Sequence, residues 1–245
     1  MRTKREPLLC EFHAHTTWSD GELSVRQLVD IYGRSGFDVL CVTDHVNRSD
    51  DPWLSAGEPR RGLRPQTFSA YLAVIEAEAT RARSLYDLLV LPGLELSYNE
   101  LDPALAAHAL AVGLREFVDV DDGLVQALRN ARESGAALVA AHPYRRRRAP
   151  SPGRATRRFA RDWRSLRHLV DRWELFNRGE LFAWVAEAGL PGIATGDFHR
   201  PEHLAGWKTL LPCTADEEAV VGYLRSPLPV FLARLASTAA EERAA

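Results

Sequence analysis

Cysteine is scarce in this 245-residue chain: Cys10, Cys41 and Cys213 are three, an odd number, far apart and without a CxxC pair. That excludes a disulfide framework and a thiolate zinc site, and it suits reduced, mostly buried thiols in a cytoplasmic protein. Lysine is scarcer still. Only Lys4 and Lys208 occur, so nearly all positive charge is arginine. No run approaches the ~20 consecutive apolar residues of a membrane span. The start, MRTKREPLLCEF, is basic, but its apolar stretch is short and Glu11 interrupts it, which does not read as a signal peptide. A dominant charge is lacking too. The 33 acidic and 31 basic residues leave a net charge of −2, which argues against a globally basic nucleic-acid coat protein.

What is present is an ordinary globular composition, 46% hydrophobic and 26% charged, which excludes a disordered chain. The length fits one domain, with a core over about 8–235 and a polar tail at 236–245. Apolar runs predict strands over 8–13, 38–43, 88–96, 106–114, 136–141, 173–176, 192–195 and 229–232. Amphipathic spacing predicts helices over 24–34 behind a Ser24 cap, then 66–85, 122–134, 166–172, 181–188 and 217–225. Residues 46–66 read as a loop or lid. Strands apolar throughout and separated by helices predict an α/β fold with parallel strands covered on both faces. Seven or eight such units in ~230 residues predict a closed β/α barrel rather than an open sheet.

Six of the eight histidines fall at or just past the expected ends of strands: His13 and His15 (HAHTTWSDG), His45 (TDH), His108 (AHALAVG), His142 (AHP) and His199 (GDFH). Asp20, Glu95 (GLELS) and Asp197 share that location. In a β/α barrel the C-terminal rim is where sites are built. A lone histidine there is commonly structural, and His168 and His203 are read that way. Nine such groups together point to metal binding, because imidazole nitrogen and carboxylate oxygen suit zinc, manganese and iron. His-x-His on an extended strand puts both rings on one face. Nine ligands suit two or three ions, with Glu95 as the candidate bridge. Asp44 reads either as a partner orienting His45 or as a strand-end cap.

These motifs, in this order across about residues 10–200, resemble the polymerase and histidinol phosphatase (PHP) family of metal-dependent phosphoesterases. The resemblance implies a distorted seven-stranded β/α barrel with a two- or three-metal centre. It implies that His13, His15, Glu95 and Asp197 hold a first ion, that Glu95, His108 and His142 hold a second, and that Asp20, His45 and His199 hold a third. It also implies a phosphoric ester hydrolase, with length excluding the polymerase branch. The expected reaction is attack on phosphorus by hydroxide bridging two ions. Asp197 is placed to ligate metal and hydrogen-bond the nucleophile. His199 is either a ligand or the acid for the leaving oxygen.

An arginine beside the metals would match a phosphate. Arg145 and Arg200 are the best placed, and Arg178 is third. The expected substrate is a small phosphorylated metabolite or nucleotide. Between Arg145 and Arg167 there are ten arginines and one acid, Asp162. That segment is either a solvated loop leading into a helix or an anion-binding loop, and the latter admits a nucleic-acid phosphodiester or exonuclease substrate. A metallohydrolase of a lactone or other non-phosphate ester is a third reading. Trp18 and Trp53 are candidate pocket linings.

Overall fold

The computed structural model describes residues 7–52, 62–144 and 156–236. Arg145, Trp53, the first half of the arginine-rich segment and the tail beyond 236 lie outside the described residues.

The chain opens with strand β1 (Leu8–Glu11) and helix α1 (Val25–Arg34). Ser24 caps α1 in a reciprocal box with Gln27, and Val25, Leu28, Val29 and Tyr32 form its buried stripe. Strands β2 (Val39–Val42) and β3 (His45–Asn47) follow. Helix α2 (Pro65–Tyr86) starts on a proline and ends at Asp87 in a left-handed cap, φ 53°. Next come β4 (Leu89–Tyr98), β5 (Ala107–Val112), α3 (Leu124–Glu133) and β6 (Ala137–Ala141). The remainder is α4 (Arg158–Leu166), β7 (Arg172–Asn177), β8 (Glu180–Leu181), α5 (Ala183–Glu187), β9 (Gly192–Thr195), β10 (Gly206–Leu211), α6 (Glu217–Arg225) and β11 (Phe231–Leu235).

The strands form one curled mixed sheet in the order β11-β10-β1-β2-β4-β5-β6-β7-β8, with β3 added on β4 and β9 on β7. The expectation of seven parallel strands closed into a barrel gives way to this arrangement. Strand β5 runs antiparallel to both β4 and β6, and β10 antiparallel to β1. Residues 99–106 connect β4 to β5, and a parallel crossover needs about a dozen or more. Among the described residues no ladder joins β9 to β10. There Thr209 Oγ1 accepts from Ala194 N at 2.9 Å and donates to Ala194 O at 2.8 Å. A single bridge, Ala14 to Phe198, ties β1's extension to the chain past β9.

The expected helix over 166–172 is displaced, because α4 ends at Leu166. Strand β10 was not expected at all. Lys208 breaks its apolar run, and that lysine is fully buried against Glu11. The core has two apolar clusters. One lies against α1, α2 and α3, and the other gathers Cys10, Cys41, Leu91, Leu110 and Val139 with Val220 and Leu224 of α6. Period-two alternation carries Leu91 on β4, and Leu110 and Val112 on β5, into the second cluster. The same faces continue to the rim as Glu95 and His108. Trp173 is fully buried edge-on to Phe159 and Trp184, and Trp207 stacks on Phe176. No helix among the described residues is long and apolar enough to cross a membrane.

Candidate metal centre

His13 and His15 follow β1, and hydrogen bonds hold them to the segment past β9. His15 N donates to Phe198 O at 2.8 Å, and Phe198 N to His13 O at 3.0 Å. That zips HAH against DFH. His45 opens β3 in register with Glu95. His108 is the second residue of β5 rather than near its end. The reversed direction of β5 still brings it to the common rim, opposite Ser97. His142, Arg178 and Asp197 have φ of 27°, 54° and 43°. Each costs about 1–3 kcal/mol and persists only where neighbours hold it. Arg178 does so for Asp197, donating Nε and Nη2 to its carbonyl oxygen at 3.0 and 2.7 Å.

All nine residues singled out from the sequence meet at this rim, in four overlapping sets whose ligating atoms lie within 4.8 Å. These are His15, Asp20, His45 and His199; His13, His15 and Asp197; His13, Glu95 and His142; and His45, Glu95 and His108. Glu95 is central. Its Oε2 is 3.4 Å from His13 Nε2 and 3.2 Å from His15 Nε2, and its Oε1 is 3.0 Å from His108 Nδ1 and 3.2 Å from His142 Nε2. Asp197 Oδ1 is 3.5 Å from His13 Nε2 and 3.7 Å from His15 Nε2. Asp20 Oδ1 is 3.4 Å from His45 Nε2 and 3.3 Å from His199 Nε2.

The outward nitrogens are anchored. His13 Nδ1 donates to Glu174 Oε1 at 2.7 Å. His142 Nδ1 donates to Thr156 Oγ1, whose own hydrogen goes to His142 O. His45 Nδ1 lies between Ser97 Oγ at 2.7 Å, whose hydrogen goes to Glu95 O, and Glu95 Oε2 at 2.9 Å. His108 is turned round, with Nε2 on Asn99 Oδ1 at 2.9 Å. In each neutral ring the other nitrogen then carries a lone pair. Each of those faces a carboxylate oxygen 3.0–3.5 Å away. Facing lone pairs repel unless a cation or proton lies between them. His13 Nε2, both nitrogens of His15 and Glu95 Oε2 are buried without a hydrogen bond. This nitrogen and oxygen donor set fits borderline divalent ions.

The electrostatics agree. Burial pushes His15 down to about 3, helped by His45 and His199, and pushes His108 down to about 4. Both rings are therefore neutral near pH 7. Burial opposes a charged Glu95, but His45, His13 and His108 outweigh it and hold the carboxyl well below its ordinary range. Asp20 is likewise held low, by His45 and His199 against burial. Burial disfavours charged His13 and His45, yet both are raised, by Glu95 with Asp197 and by Glu95 with Asp20 respectively. The carboxylates draw positive charge into the cluster, as proton or as metal.

His13, His15 and Glu95 are fully buried. The open side is formed by Asp20 and Arg178, each about a third exposed, with His199 and His45 less so. Arg178 Nη2 lies 3.2 Å from Asp197 Oδ2 and 3.1 Å from His199 Nδ1. Arg200 turns outward instead, 3.8 Å from Glu202 and 3.3 Å from His203 Nε2. His203 in turn accepts from His199 N at 3.1 Å. Trp18 packs edge-on to Tyr71 as part of the core margin.

Asp44 does not orient His45. Its carboxylate accepts from Thr16 N at 2.8 Å, Thr16 Oγ1 at 2.7 Å and Ser19 Oγ at 2.5 Å, bracing the loop that carries Asp20. The reading of the sequence missed Glu174, Asn99, Thr156, Glu11 and Lys208. Glu174 and Glu11 left a signal, as the single acids of the runs expected as strands over 173–176 and 8–13. Glu11 accepts from Phe12 N and His13 N at 3.1 Å, Gly196 N at 2.8 Å, Tyr32 Oη at 3.2 Å and Lys208 Nζ at 2.5 Å. It thus fastens the His13 segment to the Asp197 turn where the ladder is missing.

No family model matches the sequence, and no curated protein matches it. Solved structures do. A two-domain protein from Bacteroides vulgatus containing a predicted PHP-like metal-dependent phosphoesterase is 19% identical, with a TM-score of 0.62 over 90% of this chain. The chain spans 63% of that protein's length. PsfC from Pseudomonas syringae is 15% identical, with a TM-score of 0.55 over 94% of this chain and 93% of that one. At these identities the likeness shows the fold alone.

Proposed function

We propose that this chain is a metal-dependent phosphoesterase, acting most readily on the monoester of a small phosphorylated metabolite or nucleotide. The observation that carries the reading is the set of anchored imidazoles whose remaining lone pairs converge on Glu95, Asp197 and Asp20 across 3.0–3.5 Å. Two or three zinc, manganese or iron ions would be held by His13, His15, Asp20, His45, Glu95, His108, His142, Asp197 and His199, with Glu95 shared. Divalent ions there supply water that ionises near pH 7 and positive charge for phosphoryl oxygens.

The chain's own residues do the rest. Glu174, Thr156, Ser97 and Asn99 hold the rings so that their lone pairs meet. Arg178 fixes the Asp197 turn and presents a planar cation on the open side, where a phosphoryl oxygen arrives. His199 is either a ligand with Asp20 and His45 or the donor of a proton to the leaving oxygen. Burial of His13, His15 and Glu95 excludes bulk water, which strengthens each of these interactions.

The test is metal analysis of the purified chain alongside rates on p-nitrophenyl phosphate, its bis ester and a lactone. We expect two or three transition ions per chain, the monoester turned over fastest, loss with chelator and recovery on metal return. Protein lacking bound transition metal, or a lactone hydrolysed faster than either ester, refutes the proposal. The second reading is a nucleic-acid phosphodiester, favoured by Arg157, Arg158, Arg161, Arg164 and Arg167 around α4, with Arg164 4.6 Å from the Trp163 ring. A bis-ester rate above the monoester rate, with a KM on oligonucleotides that climbs steeply with salt, would establish it instead.

A further inference from the structure

His108 differs from its neighbours. It presents Nδ1 to Glu95 Oε1 at 3.0 Å and uses Nε2 on Asn99 Oδ1 at 2.9 Å. An asparagine side chain can face either way, so something must decide that oxygen rather than nitrogen meets the ring. Asn99 Nδ2 lies 2.7 Å from Asp51 Oδ2 and 3.3 Å from Asn47 Oδ1. An ionised carboxylate only accepts, so it takes the amide hydrogens and turns the amide oxygen to His108. That oxygen also only accepts, and so does Glu95 Oε1 on the other side of the ring, so once a cation occupies the Glu95 side the hydrogen is held on Nε2. The lone pair of the neutral ring then sits on Nδ1, facing Glu95. Asn99 is fully buried, Asp51 4% exposed and His108 6% exposed, so water does not readily substitute. Asp51 belongs to the loop past β3, away from every proposed ligand in sequence except His45.

From this chain of acceptors we infer that Asn99 and Asp51 are positioning residues: they select the His108 tautomer and thereby open its Nδ1 to a divalent ion shared with Glu95. The loop after β3 is thus tied to one metal position through two side chains that touch no ion. The inference rests on the proposed metal reading, and the tautomer itself is measurable without activity.

The test uses the full chain loaded with zinc, with histidine-selective nitrogen-15 labelling. His108 is identified as the resonance pair lost in His108→Gln. We expect the Nε2–H tautomer in the wild type near pH 7. Asp51→Asn can donate as well as accept, so it frees the amide to flip. It should move His108 toward the Nδ1–H form and weaken zinc binding at one position by roughly 10–100-fold, leaving the other positions filled. Asn99→Ala, a second variant, should mix the tautomers and give a loss of the same order. A wild-type Nδ1–H tautomer, or both variants folded with tautomer and zinc affinity unchanged, overturns the inference. A tautomer that moves as expected in a chain that binds no zinc would sink the metal reading while supporting the selection of the tautomer.

Discussion

Replacing Lys208 by methionine should unfold this protein well below its normal temperature. Lys208 Nζ and Glu11 are both fully buried, 2.5 Å apart, where β10 pairs with β1. Lys208→Met keeps the volume and removes the charge, so Glu11 is left as a buried anion. Breaking one side of a buried pair costs about 3–5 kcal/mol. Glu11 would retain its backbone donors Phe12, His13 and Gly196 and the Tyr32 hydroxyl, which places the loss toward the lower end. Against a total of about 5–15 kcal/mol this is a large fraction. For a chain of this size each kcal/mol lowers Tm by about 2–4 °C, so a loss of about 3 kcal/mol lowers Tm by roughly 6–12 °C. The assay is urea and thermal unfolding in EDTA, so that bound metal adds nothing. The double variant with Glu11→Gln removes both charges. It should be more stable than the sum of the single losses predicts, by about 1–3 kcal/mol. A Lys208→Met loss under about 1 kcal/mol, as for an exposed pair, or strictly additive losses, would refute the reasoning.

Other outcomes follow from the same geometry. A Cβ at Gly196 would run into Lys208 Nζ and Glu11 Oε2, so Gly196→Ala should shift the Asp197 turn and lower both Tm and metal content; a variant matching wild type in both measures defeats this. The metal-free protein should be most stable near pH 6.5. His13 and His45 are raised, so their contribution is complete below that pH and fades above it, whereas His15 and His108 are lowered to about 3 and 4, so stability falls as pH drops below 6.5. Urea midpoints in EDTA that rise or fall steadily from pH 5 to 8 would contradict it. Arg178→Ala should cut kcat/KM on a phosphate monoester by about 10²-fold or more, and Arg178→Lys should not restore it, because two N–H groups brace the Asp197 carbonyl. Full activity in the lysine variant would remove that role.

Much of the candidate centre was legible because its residues announce themselves locally. His-x-His, Asp-x-His and the acids at strand ends carry their chemistry in the residue type, and the period of two puts them on one face. The Ser24 cap and the bounds of β9 and α6 were legible for the same reason: caps, turns and apolar runs act within a few residues. By itself the sequence determined which side chains can bind an ion and the α/β alternation that brings them to one rim.

Tertiary structure alone decided how they are held. Strand direction depends on pairing partners, so the reversal of β5 that places His108 beside Ser97 had no local signature. Strand β10 was hidden because Lys208 breaks its apolar pattern, and only a carboxylate nearly two hundred residues away makes that lysine tolerable inside. The tautomers set by Glu174 and Asn99 are relations between segments distant in the chain or across a turn. Such relations arise from burial, which removes water as the alternative partner and leaves each polar group to be satisfied by whatever the fold brings near it.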